Sequence, residues 1–530
     1  MTAIVTSKFR TVNAENFKED IGANSVYVAI GKPDVWSFTT SDTTDTTPFT
    51  PNDHSDDIGE ARANLMAMQK VSSTDVTHVV PRYTWATGSV YYAWDSNDGA
   101  IFDKKFYVIT SEFKVYKCII APPATASTVQ PTQTLTAPTA ESDGYTWKYM
   151  YTLTVADSEK FLTTSYLPVK TVSLGGQGTV LGAVSSSTTV ILSEINSKIH
   201  TGMTVSGTGI SGTPTVLSIA GSVLTLSAAQ SISNAVILTF AYATDGAAEL
   251  ALSEGDYAQY LNQKASRDVA NAAGIERIVI SNGGGDYSAK PTVTITGDGT
   301  GATVSAGNIT MSGSGSTQSV ASITLNNKGN DYTFADISFS TGSASANATI
   351  APPTGHGTDP VSELGGFFVG INTQLSGTGG AGADLTVGND FRQISLIKNP
   401  TNYGTTTIST ASTLKAMSYL DFADGVTVAN YTVDELLVGG TSGAQAYVVS
   451  IDSGTGFIYY TQNSKTGYGD FVNGETVTGQ TSSTAGALHT SANGNPEVNR
   501  SSGEMLFLEN RNPINRTTTQ IEDIKVIIEF

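Results

Sequence analysis

Alternation of apolar and polar residues with period two dominates this chain. Its clearest instance is Tyr145, Trp147, Tyr149, Tyr151, Leu153 and Val155, interleaved with Thr146, Lys148, Met150, Thr152 and Thr154. Successive side chains of a strand point to opposite faces. The run therefore predicts one strand with four aromatics on a single face, set in a core or a buried interface. The last run behaves alike, with Ile524, Val526, Ile528 and Phe530 on one side. Burying each of them would stabilise a sheet by roughly 1.5–3 kcal/mol. Residues 502–530 thus read as two strands joined by a polar turn, and their best partners lie at the other end of the chain, in 3–36.

Other segments follow the same logic. Residues 3–5 predict a short strand and 26–30 another, broken after Gly31 by Pro33, which removes a ladder donor. Residues 13–21 predict a helix capped by Asn13, with Phe17 and Ile21 on one face and Gly22 as its stop. Residues 39–55 are a polar loop. Residues 57–68 predict a second helix, because Asp57 and Glu60 have capping-box spacing and Ile58, Ala61, Leu65 and Met68 form a stripe. Residues 79–85 are extended, 105–110 and 114–120 are strands around a turn, and the Pro/Thr/Ala-rich 121–140 is a long loop.

Composition changes at about Thr171, where charge falls and Gly, Ser and Thr rise. It reverts at Phe391, leaves again near Thr401 and returns near Ser502. That pattern predicts insertions into one core. The expected organisation is a discontinuous platform (1–170, 386–400 and 500–530) carrying five inserted segments. These are a β module at 171–248, a helical linker at 249–275, a β repeat pair at 276–352, a linker at 353–385 and a β module at 401–499. Two of the inserts repeat internally. Ile278, Ile280, Asn282, Gly284, Asp286 and Tyr287 recur 45 residues later as Ile323, Leu325, Asn327, Gly329, Asp331 and Tyr332. Glu435, Val438, Gly439, Thr441 and Ser442 recur 40 residues later as Glu475, Thr478, Gly479, Thr481 and Ser482. Repeats at such spacing predict β units that pack on one another. The fold class is mostly β and multidomain: nested antiparallel β-sandwich domains, a few short helices, and inserted Gly/Thr-rich β repeat modules.

Length and composition sharpen this. A chain of 530 residues exceeds a single core, and 53 glycines with only 14% charged residues fit short strands and tight turns. A formal charge of −19 without any basic run argues against nucleic acid as a partner. No stretch approaches the ~18 apolar residues of a membrane span, so no membrane partner is expected. The lone Cys118 lies in a strand and reads as a buried, inert thiol.

Catalytic signatures are scarce. GxGxxG occurs at 207–212 and 377–382, but in neither case between a strand and a helix of a βαβ unit. His54, His78, His200, His356 and His489 are scattered, so no metal site and no cofactor is expected. Asp286 and Asp331 read as turn residues rather than calcium ligands. An acid pair for glycan hydrolysis has no sequence marker. No enzymatic activity is expected.

Several segments resemble a known family. They are AIVTSKFRT at 3–11, NF…IG at 16–22, the strand and GKPDVWS at 26–37, VVPRYTW at 79–85, VYKC at 115–118, DGYTWKYMYTL at 143–153, FRQISLIKNP at 391–400, SGEMLFLENRNPI at 502–514 and the final strand. In this order they resemble the baseplate wedge subunit, the product of the eighth baseplate gene, of T-even-like contractile-tailed phages. The inserts at 171–385 and 401–499 depart from that pattern by their length. The resemblance implies a non-catalytic virion protein, located in the tail baseplate and assembled in the host cytoplasm. It implies a homodimer that joins other wedge proteins in the hexagonal baseplate that triggers sheath contraction. Arg10, Trp36, Arg82, Trp85, Trp147, Arg392 and Arg511 in these motifs become candidate interface or packing anchors, since Arg and Trp dominate hot spots. A host-surface-binding tail spike or adhesin is the alternative reading, and the repeats leave room for weak glycan contact through the inserted modules.

Overall fold

The computed structural model describes residues 4–36, 45–270, 273–375, 390–490, 494–515 and 522–530. Antiparallel sheets dominate it. Six α-helices are found among the described residues: α1 (Ser7–Ala23), α2 (Ser55–Ala63), α3 (Val155–Phe161), α4 (Asp245–Ala251), α5 (Glu254–Asp268) and α6 (Pro360–Leu364). The chain divides into two compact units. One comprises Met1–Glu19, Thr77–Gly370 and Ile528–Phe530, the other Asp20–Val76 and Ile371–Ile527.

The first unit is built around a four-stranded sheet, in the order Tyr107–Ile109, Lys114–Ile120, Thr146–Thr152, Thr139–Ala140. Both of its faces are buried. Tyr91, Val108, Tyr116, Cys118, Tyr145 and Trp147 cluster on one side. Phe106, Tyr107, Ile109, Val115, Met150 and Tyr151 cluster on the other. The four aromatics of the 145–151 run are therefore not on one face, as their spacing predicts. Tyr116 faces Tyr149 while Val115 faces Tyr151, so Met150 is an extra residue in the ladder. A bulge of this kind reverses the alternation, and Tyr151 turns to the opposite core.

Two β modules complete this unit. In the first, the sheet Val184–Ile191, Val223–Ile232, Val216–Ala220 and the sheet Thr204–Gly207, Ile237–Ala241, Gly176–Thr179 share one core, which includes Val190, Leu226, Leu238 and Phe240. Ala248 of α4 and Tyr260 of α5 close it. Gly207, Gly209 and Gly212 all have positive φ and lead into a strand, not a helix. In the second module, Ile275–Asn282, Ser345–Ile350, Ala335–Phe339 and Val293–Gly297 form a sheet, Thr300–Thr303 pairs with Asn327–Asn330, and the hairpin of Ile309–Ser312 and Ser319–Ile323 lies between that pair in sequence. The 45-residue repeat keeps its geometry. Asp286 and Asp331 both adopt left-handed backbone (φ 62° and 61°). Asn282 Oδ1 and Asn327 Oδ1 accept from the N–H of Gly284 and Gly329, each at 2.9 Å. Tyr287 and Tyr332 are both buried, and each hydroxyl accepts from a backbone N–H, of Ala344 and Ala302.

The second unit holds a five-stranded sheet, in the order Thr413–Lys415, Leu65–Lys70, Val26–Gly31, Asp390–Lys398, Glu504–Asn515. It also holds a six-stranded sheet from Ser418–Asp421 through Phe457–Thr461, Gln445–Asp452, Leu436–Gly439 and Thr476–Gly479 to Ala485–Ala487.

Several local expectations need correction. Ile4 and Val5 are not a strand but lie 86% and 64% exposed (Ala3 is outside the described residues). Thr6 intervenes: its Oγ1 accepts from Phe9 N, so the first helix starts at Ser7 and Asn13 is interior. The helix read over 57–68 runs over Ser55–Ala63, capped by His54, whose Nδ1 accepts from Asp57 N. Leu65 and Met68 instead belong to a strand. The run Leu65–Met68 is apolar at every position and buried at every position, as suits a strand covered on both faces; an i,i+3 stripe cannot be told from such a run. The segment 353–385, read as a linker, contains α6 and the largely buried strand Phe368–Leu375. The polar turn read between the last two strands lies at 516–521, outside the described residues.

Met68 packs with Tyr27, Ile397 and Leu414 inside the five-stranded sheet. Met68→Ala should destabilise the second unit by about 2–5 kcal/mol, seen as a lowered midpoint in urea denaturation.

Candidate functional sites

Trp36, Arg392 and Arg511 belong to one network of the second unit. Arg392 lies on a strand buried on both faces and is only 3% exposed, so its charge needs complete compensation. It donates from Nε to both Asp45 oxygens (3.0 Å each), from Nη2 to Asp45 Oδ2 (2.7 Å) and Asp390 Oδ2 (3.1 Å), and from Nη1 to Pro33 O (2.6 Å). Burial alone would raise the Asp45 pKa. The hydrogen bonds from Arg392 and from Trp36 N, with the guanidinium charge, outweigh burial and hold it below the usual carboxylate value. Trp36 donates from Nε1 to Arg511 O (2.9 Å) and meets Phe49 edge-on at 5.4 Å. The Arg511 side chain is half-exposed and pairs with Glu509 (3.2 Å). Beside them Asp34 takes two ammonium groups, Lys32 at 2.9 Å and Lys465 at 3.0 Å.

The other four candidates sit in the first unit. Arg10 lies over the Phe367 ring (4.3 Å) and donates to Phe530 O (2.5 Å) and Glu529 Oε1 (2.6 Å). Phe530 N in turn donates to Phe367 O (3.0 Å). Arg82 donates to Thr163 O (2.8 Å) and Thr84 Oγ1 (3.2 Å). Trp85 donates from Nε1 to Ser127 Oγ (3.3 Å). Trp147 is fully buried, stacked on Tyr145 at 5.7 Å, and its indole N–H has no acceptor among the described residues.

The densest polar constellation of the first unit was not legible in the sequence. Lys117, in the four-stranded sheet, points into a charged cluster. Its Nζ donates to Glu363 Oε2 of α6 (2.8 Å) and to His356 Nδ1 (3.0 Å), and lies 4.4 Å from the Trp94 ring centre. An ammonium only donates, so Nδ1 accepts and the proton of a neutral His356 sits on Nε2. That nitrogen is 3.7 Å from Glu276 Oε2, and Glu276 also pairs with Lys328 (2.8 Å). Burial pushes both carboxyls up, but the opposing charges and hydrogen bonds win, and Glu276 and Glu363 each fall to about 2. Neighbouring Lys148 goes the other way: burial lowers it to about 8, and its Nζ donates to Tyr149 O. The only sequence signal was a lysine at an interior position of KVYKCII. Its counter-ion lies 246 residues away.

In the second unit the 40-residue repeat carries a reciprocal exchange of carboxylates. Glu475, 4% exposed, accepts from Thr441 N, Ser442 N and Ser442 Oγ, all at 2.8 Å. Glu435, 3% exposed, accepts from Thr481 N (3.1 Å), Ser482 N (2.9 Å) and Ser482 Oγ (2.9 Å). Each repeat therefore fills the turn of the other. The strands between them pair antiparallel, with Val438 opposite Thr478, so a local pseudo-twofold axis passes there. The Glu475 carboxyl, which burial pushes up, is brought below its ordinary value by these donors.

Among the described residues no three His, Cys, Asp or Glu side chains gather as metal ligands. Cys118 is buried, and burial pushes its thiol up, which keeps it protonated and unreactive.

Two outcomes follow from these carboxylates. Because the folded pKa values of Glu276 and Glu363 lie below the ordinary 4.5, their stabilisation is present above 4.5 and is lost as pH falls toward 2. The thermal midpoint of the first unit should drop over that window, and Glu276→Gln should flatten the drop. Glu475→Gln and Glu435→Gln should each destabilise the second unit by about 1–3 kcal/mol, with similar size because their settings match, as measured by urea denaturation.

Comparison with known proteins places the chain's first quarter. Residues 3–135 match the sequence family described as Bacteriophage T4, Gp8. The baseplate wedge protein gp8 of Enterobacteria phage T4 is 28% identical over 129 residues, which is 23% of this chain and 38% of that protein. The chain thus spans well under two thirds of that relative. Arg10, Trp36, Arg82 and Trp85 fall within 3–135, whereas Trp147, Arg392, Arg511 and both repeat modules lie beyond it.

Proposed function

We propose that this chain is a structural subunit of the baseplate wedge of a contractile phage tail. The observation that carries this reading is the similarity of residues 3–135 to the T4 baseplate wedge protein. The matched stretch contributes α1, α2 and the strands Val26–Gly31, Leu65–Lys70, Tyr107–Ile109 and Lys114–Ile120. It therefore supplies central strands of both major sheets rather than a peripheral element. The chemistry of the described sites supports a scaffold. Their carboxylates and cations are spent on one another inside the fold, where they fix geometry.

In this role the chain forms a homodimer, binds other wedge proteins and is built into the hexagonal baseplate that couples host contact to sheath contraction. It acts without catalysis, in the virion. The seven arginine and tryptophan positions serve first as internal anchors. Arg511 and Arg10, whose side chains are 39% and 29% exposed, are placed to extend their contacts to a neighbouring subunit.

Light-scattering mass and co-purification with the other wedge proteins of the same phage test this directly. A concentration-independent dimer that enters a wedge complex is the expected outcome. A stable trimer that binds glycans and ignores the wedge proteins would instead assign the chain to a host-binding spike. Mass spectrometry of purified virions should find it in the baseplate fraction.

A further inference from the structure

In the first unit, residues 94–102, 332–336, 348–353 and 362–363 bound an open cleft of about 590 Å³, within the range of small-molecule sites. Aromatic rings supply much of its wall. Trp94 is fixed by Lys117, 4.4 Å from its ring centre, and by His356, edge-on at 5.0 Å. Phe102 meets Phe106 and Phe367 edge-on, at 5.9 and 5.0 Å. Both rings thus belong to the core. Phe334 does not. It is 55% exposed and meets no other ring among the described residues. Its backbone is nevertheless held. Asp298 Oδ1 accepts from Thr333 N (2.9 Å) and Phe334 N (3.2 Å), and Asp298 Oδ2 accepts from Thr333 Oγ1 (2.5 Å).

The 45-residue repeat supplies an internal control. Both copies keep the Asn, Gly, Asp and Tyr that build the turn. Ala289 and Pro291 stand in the first copy where Phe334 and Asp336 stand in the second. The turn therefore requires neither Phe334 nor Asp336, and both line the cleft.

The polar groups of the cleft have hydrogen-bonding capacity to spare. Ser96 Oγ accepts from Ile350 N (3.0 Å), which leaves its proton to donate. Asn97 Nδ2 donates to Ala348 O (2.7 Å) and Asp95 Oδ1 (3.3 Å), which leaves Asn97 Oδ1 to accept. Asp336 is exposed and makes no ion pair among the described residues. Glu363 is spent on Lys117. Among the described residues no Lys, Arg or His lines the cleft.

We propose that this cleft binds an uncharged saccharide, with the C–H face of a sugar ring against Phe334 and its hydroxyls bonded to Ser96, Asn97 and Asp336.

Each competing class of ligand fits less well. An anion would meet Asp336 and Glu363 with no cation beside it. A wholly apolar group would cover Ser96 and Asn97 without pairing them. A cation would gain only the exposed Asp336, in water that screens it. A sugar ring offers C–H groups to the negative face of an aromatic ring, and hydroxyls that both donate and accept. This binding goes beyond the wedge role and does not rest on it. A dimer that enters the wedge complex and also binds saccharide fulfils both readings, and either test can fail without the other.

Saturation-transfer NMR on the full chain tests the proposal. Lactose, maltose, cellobiose and N,N′-diacetylchitobiose serve as neutral probes, glucuronate and arginine amide as charged ones. Saturable binding of at least one neutral probe is expected, with transfer strongest to the C–H protons of one ring face. Phe334→Ala introduces the side chain that the first copy carries at this position. It should leave the thermal midpoint unchanged and weaken binding at least about tenfold. Asp336→Asn should also weaken binding, because a charge-assisted hydrogen bond is lost. Three results would each overturn the proposal: no saturable binding of any neutral probe, tighter binding of glucuronate or arginine amide than of every neutral probe, or equal affinity in wild type and Phe334→Ala.

Discussion

A charge placed between two apolar layers must find its opposite there, and this requirement organises both units. Sheets covered on both faces leave no route to water for a lysine or arginine in a central strand. Lys117 and Arg392 occupy such positions, and each is compensated by residues far away in sequence: Glu363 and His356 for the one, Asp45 and the Pro33 carbonyl for the other. Unpaired, either would cost several kcal/mol. Each pair therefore selects one arrangement of distant segments from the many that burial of apolar surface alone would tolerate.

The two repeats meet a related requirement in different ways. In the 45-residue repeat an Asn side chain closes each copy's own turn over glycine, while each buried tyrosine accepts from a backbone N–H of the other copy. In the 40-residue repeat neither copy is complete. Glu435 and Glu475 cross over, and Gly439 and Gly479 leave the space that the partner's carboxylate fills. The first arrangement keeps the turns local and joins its copies through strand pairing and the two tyrosine hydroxyls. The second makes one unit from two halves.

Several strands were legible as short, largely apolar runs bounded by turn residues, although they are buried on both faces rather than one. Val26–Gly31 and Lys114–Ile120 appear where the sequence places them. The pattern misled where a second condition acted. A bulge at Met150 moved Tyr151 to the opposite core, and full burial of Leu65–Met68 erased the difference between helix and strand. Phe368–Leu375 was hidden by the glycines and prolines around it. The repeats could be read as repeats, yet which glutamate serves which turn could not, because reciprocity is a property of packing.

The distance between Lys117 and Glu363 also bears on how the chain is made. A ribosome adds about 5–20 residues per second, so the 246 residues between them take roughly 10–50 s to appear. Throughout that interval the strand bearing Lys117 exists without its counter-ion, and the sheet around it can close only by stranding an ammonium in apolar surroundings. Closing the sheet in that interval would cost several kcal/mol, a cost that ends only when α6 supplies its carboxylate. The buried pair thus ties the energetics of an early strand to a helix made 246 residues later.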